Sequence, residues 1–223
     1  GVNWQKNYIV WDMCCGVGNL EVKHSNPRNI YMSTLDSEDI DVMRATKTCV
    51  GAERFQYDYL NDDITDAGKI DYSLTNKVPQ SLRNAIAEGK KILVLINPPY
   101  AEATNSANAN ISGRGDETST KEGVAKTKFA ETGMADYGKA SNELFMQFIV
   151  RIAKEIPTAT IAVFSKLKYI TAPTLDDFRQ KWKADFLDGF AVHSKSFDGL
   201  KGEFPIGFLI WKTNMLSNKK KPI

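Results

Sequence analysis

Apolar residues along the chain fall into short β-like runs alternating with stretches of helical spacing, and similar polar residues close each run. Residues 8–11 (YIVW) form a first apolar run that stops at Asp12 and a glycine-rich turn, Gly16-Val17-Gly18. Residues 30–35 make a second strand, closed by Asp36. In 37–49, Ile40, Met43 and Ala45 lie near helical spacing, with Ser37 placed to cap the helix. Residues 55–57 read as a weaker third strand ending at Asp58. Over 79–88, Pro79 sits in a first helical turn, Leu82, Ala85 and Ile86 make an apolar stripe, and Gly89 stops it. The run ILVLI at 92–96 is the most continuous of all and fits a central strand buried on both faces of a parallel sheet. It ends abruptly at Asn97-Pro98-Pro99-Tyr100.

Residues 101–140 change character, with Asn, Ser, Thr, Gly and Lys dominant and apolar residues sparse. A connection of this length inside one domain is expected to be functional or mobile. Helical periodicity returns at Ser141, where Leu144, Phe145, Phe148, Ile149, Ile152 and Ile156 form a stripe ended by Pro157. A strand over 160–164, a helix over 175–186 and two strands, 190–193 and 208–211, complete the pattern. The order predicts an α/β fold with a mostly parallel sheet and a terminal β-hairpin. It also predicts one domain over 1–212, with 101–140 as a polar inserted loop and 213–223 as a basic tail. No internal repeat is present.

Composition narrows this picture little. The 223 residues are 42% hydrophobic and 25% charged, which excludes global disorder, collagen and coiled coil. A net charge of +2 argues against a polybasic nucleic-acid coat, though not against an enzyme holding nucleic acid in a local groove. Cys14, Cys15 and Cys49 have no paired spacing, and with only His24 and His193 no metal-ligand cluster emerges. Reduced thiols in a cytosolic protein are the simplest reading. No apolar run reaches the ~18–20 residues that cross a bilayer, and no signal peptide opens the chain.

The candidate chemistry sits where the first four strands end, because ligands in open α/β sheets bind beyond the carboxyl ends of strands. Gly16 and Gly18 allow backbone to approach a ligand closely. A dinucleotide fingerprint would want a third glycine where Glu21 stands, so NAD and FAD are disfavoured. Asp36 lies 18 residues past Gly18, near the usual offset of about 20 for a carboxylate that accepts both ribose hydroxyls. It also fits a helix N-cap. Asp58 fits either a contact to an adenine amino group or a loop carboxylate beside Asn61, Asp62 and Asp63. In Asn97-Pro98-Pro99-Tyr100 the prolines fix φ and remove two backbone donors, so carbonyls are exposed without competing N–H groups. With the Asn97 side-chain carbonyl, such a turn can hold an exocyclic amine through both hydrogens, and Tyr100 offers a stacking face.

These residues resemble the class I, S-adenosylmethionine-dependent methyltransferases, specifically the amino-methylating DNA enzymes. Asp12-Met-Cys-Cys-Gly16-Val-Gly18-Asn resembles their cofactor loop, and Asn97-Pro-Pro-Tyr100 resembles the adenine-N6 catalytic motif. The order of the two motifs is that of the gamma group and of the methylase parts of restriction-modification systems. The segment from Ser141 to Ile149 is similar to the helix following the catalytic loop there, so the resemblance spans about 8–212. It implies a Rossmann-like class I methyltransferase fold with a seven-stranded sheet, S-adenosylmethionine as cofactor and double-stranded DNA as partner. It further implies a prokaryotic or phage-encoded cytoplasmic enzyme and no metal.

Residue by residue, the resemblance implies that Asp12 faces the methionine end of the cofactor, with Gly16 and Gly18 letting backbone approach. Asp36 would bind the ribose hydroxyls and Asp58 the adenine amino group. Asn97 and the Pro98 carbonyl would hold the target N6, Pro99 would stiffen the turn, and Tyr100 would stack on the extruded base. Phe197 would supply the aromatic expected before the last hairpin strand, with Phe204 as runner-up. No general base is implied, because the amine loses its proton only after transfer. Lys121, Lys126, Lys128, Lys139, Lys166 and Lys168 are candidate phosphate contacts, while Cys14 and Cys15 read as small packing residues. The family's segment before the cofactor strand and its target-recognition domain have no counterpart, so a flanking domain or subunit is expected. Methylation of protein glutamine, methylation of guanine-N2 in RNA, and an inactive cofactor-binding scaffold are the alternatives.

Overall fold

In the computed structural model, residues 3–24, 27–100, 126–196 and 204–217 are described. The apolar runs become strands β1 (Ile9–Asp12), β2 (Ile30–Thr34), β3 (Glu53–Gln56), β4 (Ile92–Ile96) and β5 (Thr160–Lys166), all parallel. The hairpin strands β6 (Ala184–His193) and β7 (Pro205–Thr213) run antiparallel, with β7 inserted between β5 and β6. The order is β3-β2-β1-β4-β5-β7-β6. This is the seven-stranded, mostly parallel sheet with a terminal hairpin that the pattern predicts. The strand order reverses between β1 and β4, so a crevice opens at their carboxyl ends, where Asp12 and Asn97 stand.

Alternating strand residues bury against opposite faces. Trp11, Val94, Ile161 and Trp211 join the larger core, whereas Val10, Leu93 and Ala162 join a smaller one. The smaller core is capped by α2 (Ser37–Ala45), which follows the one-turn α1 (Trp4–Asn7) and presents Ile40 and Met43. On the larger face lie α3 (Gln80–Ala87), α4 (Lys128–Gly133) and α5 (Leu144–Glu155). The one-turn α6 (Lys168–Thr171) and α7 (Asp176–Lys181) contribute Tyr169, Phe178 and Trp182 to the same core. Of the residues of α5, all but Lys154 are buried, including Gln147 and Arg151. An apolar stripe alone does not account for that.

Three local expectations differ from the structure. Asp36, not Ser37, occupies the N-cap of α2. The helix expected over 175–186 stops at Lys181. Trp182 leaves helical conformation and wedges against Phe178 and Trp211, with ring centroids at 5.1 and 5.3 Å, and the chain then enters β6. Leu175, Phe178, Trp182 and Phe186 share helical spacing, but the last belongs to the strand. Finally, the C-terminal part of the polar insert is helical: α4 and the 3-10 segment Ala135–Asn142 bury Phe129, Met134 and Tyr137. Thr127 starts it, accepting a bond from the Ala130 N–H and donating one to Gln147 Oε1.

Candidate active site

A cleft opens at the carboxyl ends of β1, β2, β3 and β4. Its lining brings together Gly16, Asp36, Asp58, Asn97 and Pro99, five of the residues singled out from the sequence. Asp12, Gly18, Pro98 and Tyr100 stand just outside that lining, and Phe197 lies outside the described residues.

The two glycines of the turn after β1 have different tasks. Both have positive φ, 52° at Gly16 and 83° at Gly18. A Cβ on Gly16 would meet nothing within 4 Å, so this residue leaves open space over the cleft. A Cβ on Gly18 would lie 2.7 Å from Met32 Cε and 3.0 Å from Thr48 Cγ2, so its bareness serves packing. Asp12 is buried behind the turn and its Oδ1 accepts the Cys14 N–H at 2.9 Å. Its carboxyl meets that of Glu21, which is fully buried. Burial pushes both carboxyls up, and their mutual repulsion raises Glu21 further. Two carboxyls in such contact cannot both ionise, so the pair retains a proton. Burial also pushes the Cys14 and Cys15 thiols up, in keeping with packing roles.

Asp36 holds an extended backbone at the head of α2, and its side chain makes no capping bond. Its carboxylate therefore remains for a ligand in the cleft. In the first turn of the same helix, Asp39 also lines the cleft and its Oδ2 accepts the Thr34 hydroxyl at 2.7 Å. Asp39 does not stand out in the sequence, although its place three residues after Asp36 puts it in the same first turn. Asp58 accepts the Leu60 N–H at 3.2 Å and the Asn61 Nδ2 at 2.8 Å, so it organises its own loop while facing the cleft. Tyr57, Tyr59 and Phe148 add an aromatic wall, Tyr59 and Phe148 stacking at 5.4 Å.

At the end of β4, Asn97 is exposed, Pro98 is buried, and Pro99 and Tyr100 are half-buried. The Tyr100 hydroxyl donates to Asn97 Oδ1 at 2.7 Å, and Lys166 Nζ donates to the Tyr100 carbonyl at 3.2 Å. Burial holds the Tyr100 phenol above its ordinary range, so it stays a donor. Lys166 thus braces the turn. Lys128 pairs with Asp66 and Lys168 with Glu143, Lys126 and Lys139 are exposed, and Lys121 lies outside the described residues. Among the described residues no group of His, Cys, Asp or Glu is placed to hold a metal, and no helix is long and apolar enough to cross a membrane.

No family model and no curated protein matches the sequence. Solved structures do match. The chain aligns with the DrdV–DNA complex at a TM-score of 0.56 and 14% identity, covering 94% of this chain and 24% of that one. It aligns with the ATP-dependent Type ISP restriction-modification enzyme LlaBIII bound to DNA at 0.50 and 10% identity, covering 94% and 17%. A SAM-dependent methyltransferase from Anabaena variabilis matches at 0.46 and 9% identity, covering 92% and 77%. At these identities the likeness is one of fold: the chain has the Rossmann-like class I methyltransferase fold. It spans about a quarter of the length of the first of these structures.

Proposed function

We propose that this chain is the catalytic core of an S-adenosylmethionine-dependent methyltransferase acting on the N6 amino group of adenine in DNA, in a restriction-modification or phage-type system. The observation that carries the reading is the juxtaposition of Asn97 and Pro99 with Gly16, Asp36 and Asp58 in one cleft. The residues fit the cofactor. Open space stands over Gly16, and the Asp36 carboxylate is not used by its helix. Asp36 would hold the ribose hydroxyls and the Asp58 loop the adenine end. Asp12 would act indirectly, by holding the turn through the Cys14 N–H. When bound, the cofactor supplies an electrophilic methyl group.

The chain's own contribution is to present the amine. Asn97 Oδ1 and the Pro98 carbonyl would accept its two hydrogens, and Pro98 has no N–H to compete. Holding both hydrogens to one side exposes the nitrogen lone pair on the other. An incoming amine would displace the Tyr100 hydroxyl from Asn97 Oδ1, leaving the ring to stack on the base. Such stacking would help offset the few kcal/mol that extrusion of the base costs. Recognition of a DNA sequence would be supplied by a flanking domain or subunit.

The test is labelled-methyl transfer to duplex DNA by this chain together with the proposed flanking domain or subunit, with the modified base identified by mass spectrometry. N6-methyladenine is expected, and Asn97→Ala should reduce transfer at least about 100-fold, in line with loss of a key polar group in a transition state. Calorimetric cofactor affinity should change less than about threefold, since Asn97 faces the amine. Label in protein glutamine or in guanine of RNA would move the assignment to those substrates. Transfer that survives Asn97→Ala would remove Asn97 from the mechanism.

A further inference from the structure

Behind the aromatic wall of the cleft, α5 carries a buried cation whose partners lie almost entirely in the loop after β3. Arg151 is fully buried and does not itself line the cleft. Its Nη1 donates to the backbone carbonyl of Tyr59 and, at 3.0 Å, to that of Asp62. Its Nη2 donates to the Tyr57 hydroxyl at 2.7 Å, and Tyr57 in turn donates to Asp63 Oδ2 at 3.0 Å. The guanidinium carbon sits 4.2 Å from the centre of the Tyr59 ring. Glu155, one turn further along α5, is the counterion at 3.5 Å and accepts the hydroxyls of Tyr59 at 2.5 Å and Tyr72 at 2.6 Å.

The loop gripped in this way has no strand ladder of its own. Within it the Asn61 and Asp62 N–H groups donate to the Asp58 carbonyl and the Leu60 N–H to the Asp58 carboxylate. Across its boundary the Tyr57 N–H donates to the Thr34 carbonyl, and the Phe129 and Lys128 N–H groups donate to the Leu60 carbonyl and Asn61 Oδ1 on the cleft side. That leaves the carbonyls of Tyr59 and Asp62 to Arg151. Its inward carbonyls and the Tyr57 hydroxyl converge on one planar donor set. A guanidinium satisfies three acceptors in fixed directions at once, which an ammonium on a flexible stem does not do with the same geometry. The opposite surface of the same loop forms the cleft wall through Tyr57, Asp58, Tyr59, Leu60 and Asn61. The N-terminal part of α5 reaches the cleft too, with Leu144 and Phe148. One helix therefore bears on the wall from the front and braces it from behind.

We infer that Arg151 is a positioning residue for the adenosine end of the cofactor, holding the 57–62 loop in the shape that binds it. This inference rests on the proposed methyltransferase reading and deepens it. Arg151→Lys is compared with Tyr72→Phe, which removes a bond to the same Glu155 on the side away from the cleft. Calorimetry with S-adenosylmethionine and with adenosine alone, well below each unfolding midpoint, is the readout. Arg151→Lys should weaken both ligands by the same factor, tenfold or more, with turnover at saturating cofactor changed less than threefold. Tyr72→Phe should leave both affinities within twofold at a comparable loss of thermal stability. Should Arg151→Lys fail to fold, the double replacement Arg151→Met with Glu155→Met removes the ion pair without stranding a charge and should show the same loss.

Affinities of the Arg151 variants within twofold of wild type would overturn the inference. So would equal weakening in Tyr72→Phe, which would make the effect one of general stability. A wild-type protein that binds neither ligand would instead overturn the methyltransferase reading.

Discussion

Glu21 shows how a single side chain can look wrong for its place and still be built into it. It stands where a dinucleotide loop has glycine, yet it turns inward to meet Asp12 and leaves the cleft clear. The groups around the pair are Cys14 and Cys15 on the turn, Asp39 on α2, and Cys49 and Arg54 beyond it. Only Arg54 among these is cationic, and it faces Cys49 while donating to the carbonyls of Met43 and Thr48. Both carboxyls are therefore raised in the folded protein above the ordinary carboxylate values near 4. A raised acid binds its proton more tightly folded than unfolded. Its stabilisation is complete below the unfolded value and is lost as pH climbs through the folded one. Glu21→Gln keeps a donor toward Asp12 and removes the titration. The variant should gain on wild type as pH rises from about 5 to 9, by at least about 1 kcal/mol at pH 8, since a tenfold difference in proton affinity between folded and unfolded states is worth ~1.4 kcal/mol. Urea unfolding at several pH values measures this, and a gap that stays constant with pH would show that no proton is held there.

At the level of elements, and under the proposed function, the turn after β1 would separate packing from binding within three residues. Gly18→Ala should cost about 1–3 kcal/mol of stability through left-handed strain and contact with Met32 and Thr48. Gly16→Ala carries the strain without the clash, so it should cost less stability but more cofactor affinity, because its methyl points into open space. Paired thermal unfolding and calorimetry separate the two, and equal loss of affinity in both variants would refute the division. The turn, the strand ends and Asn97-Pro98-Pro99-Tyr100 were legible in the sequence because each depends on local chemistry: an apolar run, a residue that breaks it, a backbone only Gly or Pro allows. Other features rest on tertiary partners. The helix at 128–133 forms because sparse apolar residues such as Phe129 find a core. The end of α7 is set by Trp211, 29 residues past Trp182. Arg151 reads as an ordinary helix cation until the carbonyls of Tyr59 and Asp62, about 90 residues earlier, are brought against it.

On the scale of the whole molecule, and under the proposed function, charge decides how much of DNA binding this fold would supply. The net charge is only +2, and many cations are already engaged within the chain. Lys77 pairs with Asp62, Lys128 with Asp66, Lys168 with Glu143 and Arg179 with Asp176, while Lys166 holds the Tyr100 carbonyl. A cation spent on an internal carboxylate or carbonyl releases no counterion from DNA. Under the proposed function, the cleft needs a duplex only close enough to receive one extruded base, so a few exposed lysines suffice, such as Lys126 beside the lining residue Thr127. Each phosphate neutralised lowers the slope of log K against log salt by about 0.9. The chain alone should therefore bind duplex DNA with a shallow slope, about −1 to −3, and the chain together with the proposed flanking domain or subunit with a steeper one. Fluorescence anisotropy between 50 and 200 mM salt, a range suited to such slopes, measures both. A slope near −6 or steeper for this chain alone would reveal a continuous phosphate-binding surface and defeat the division of labour between catalytic core and DNA reader.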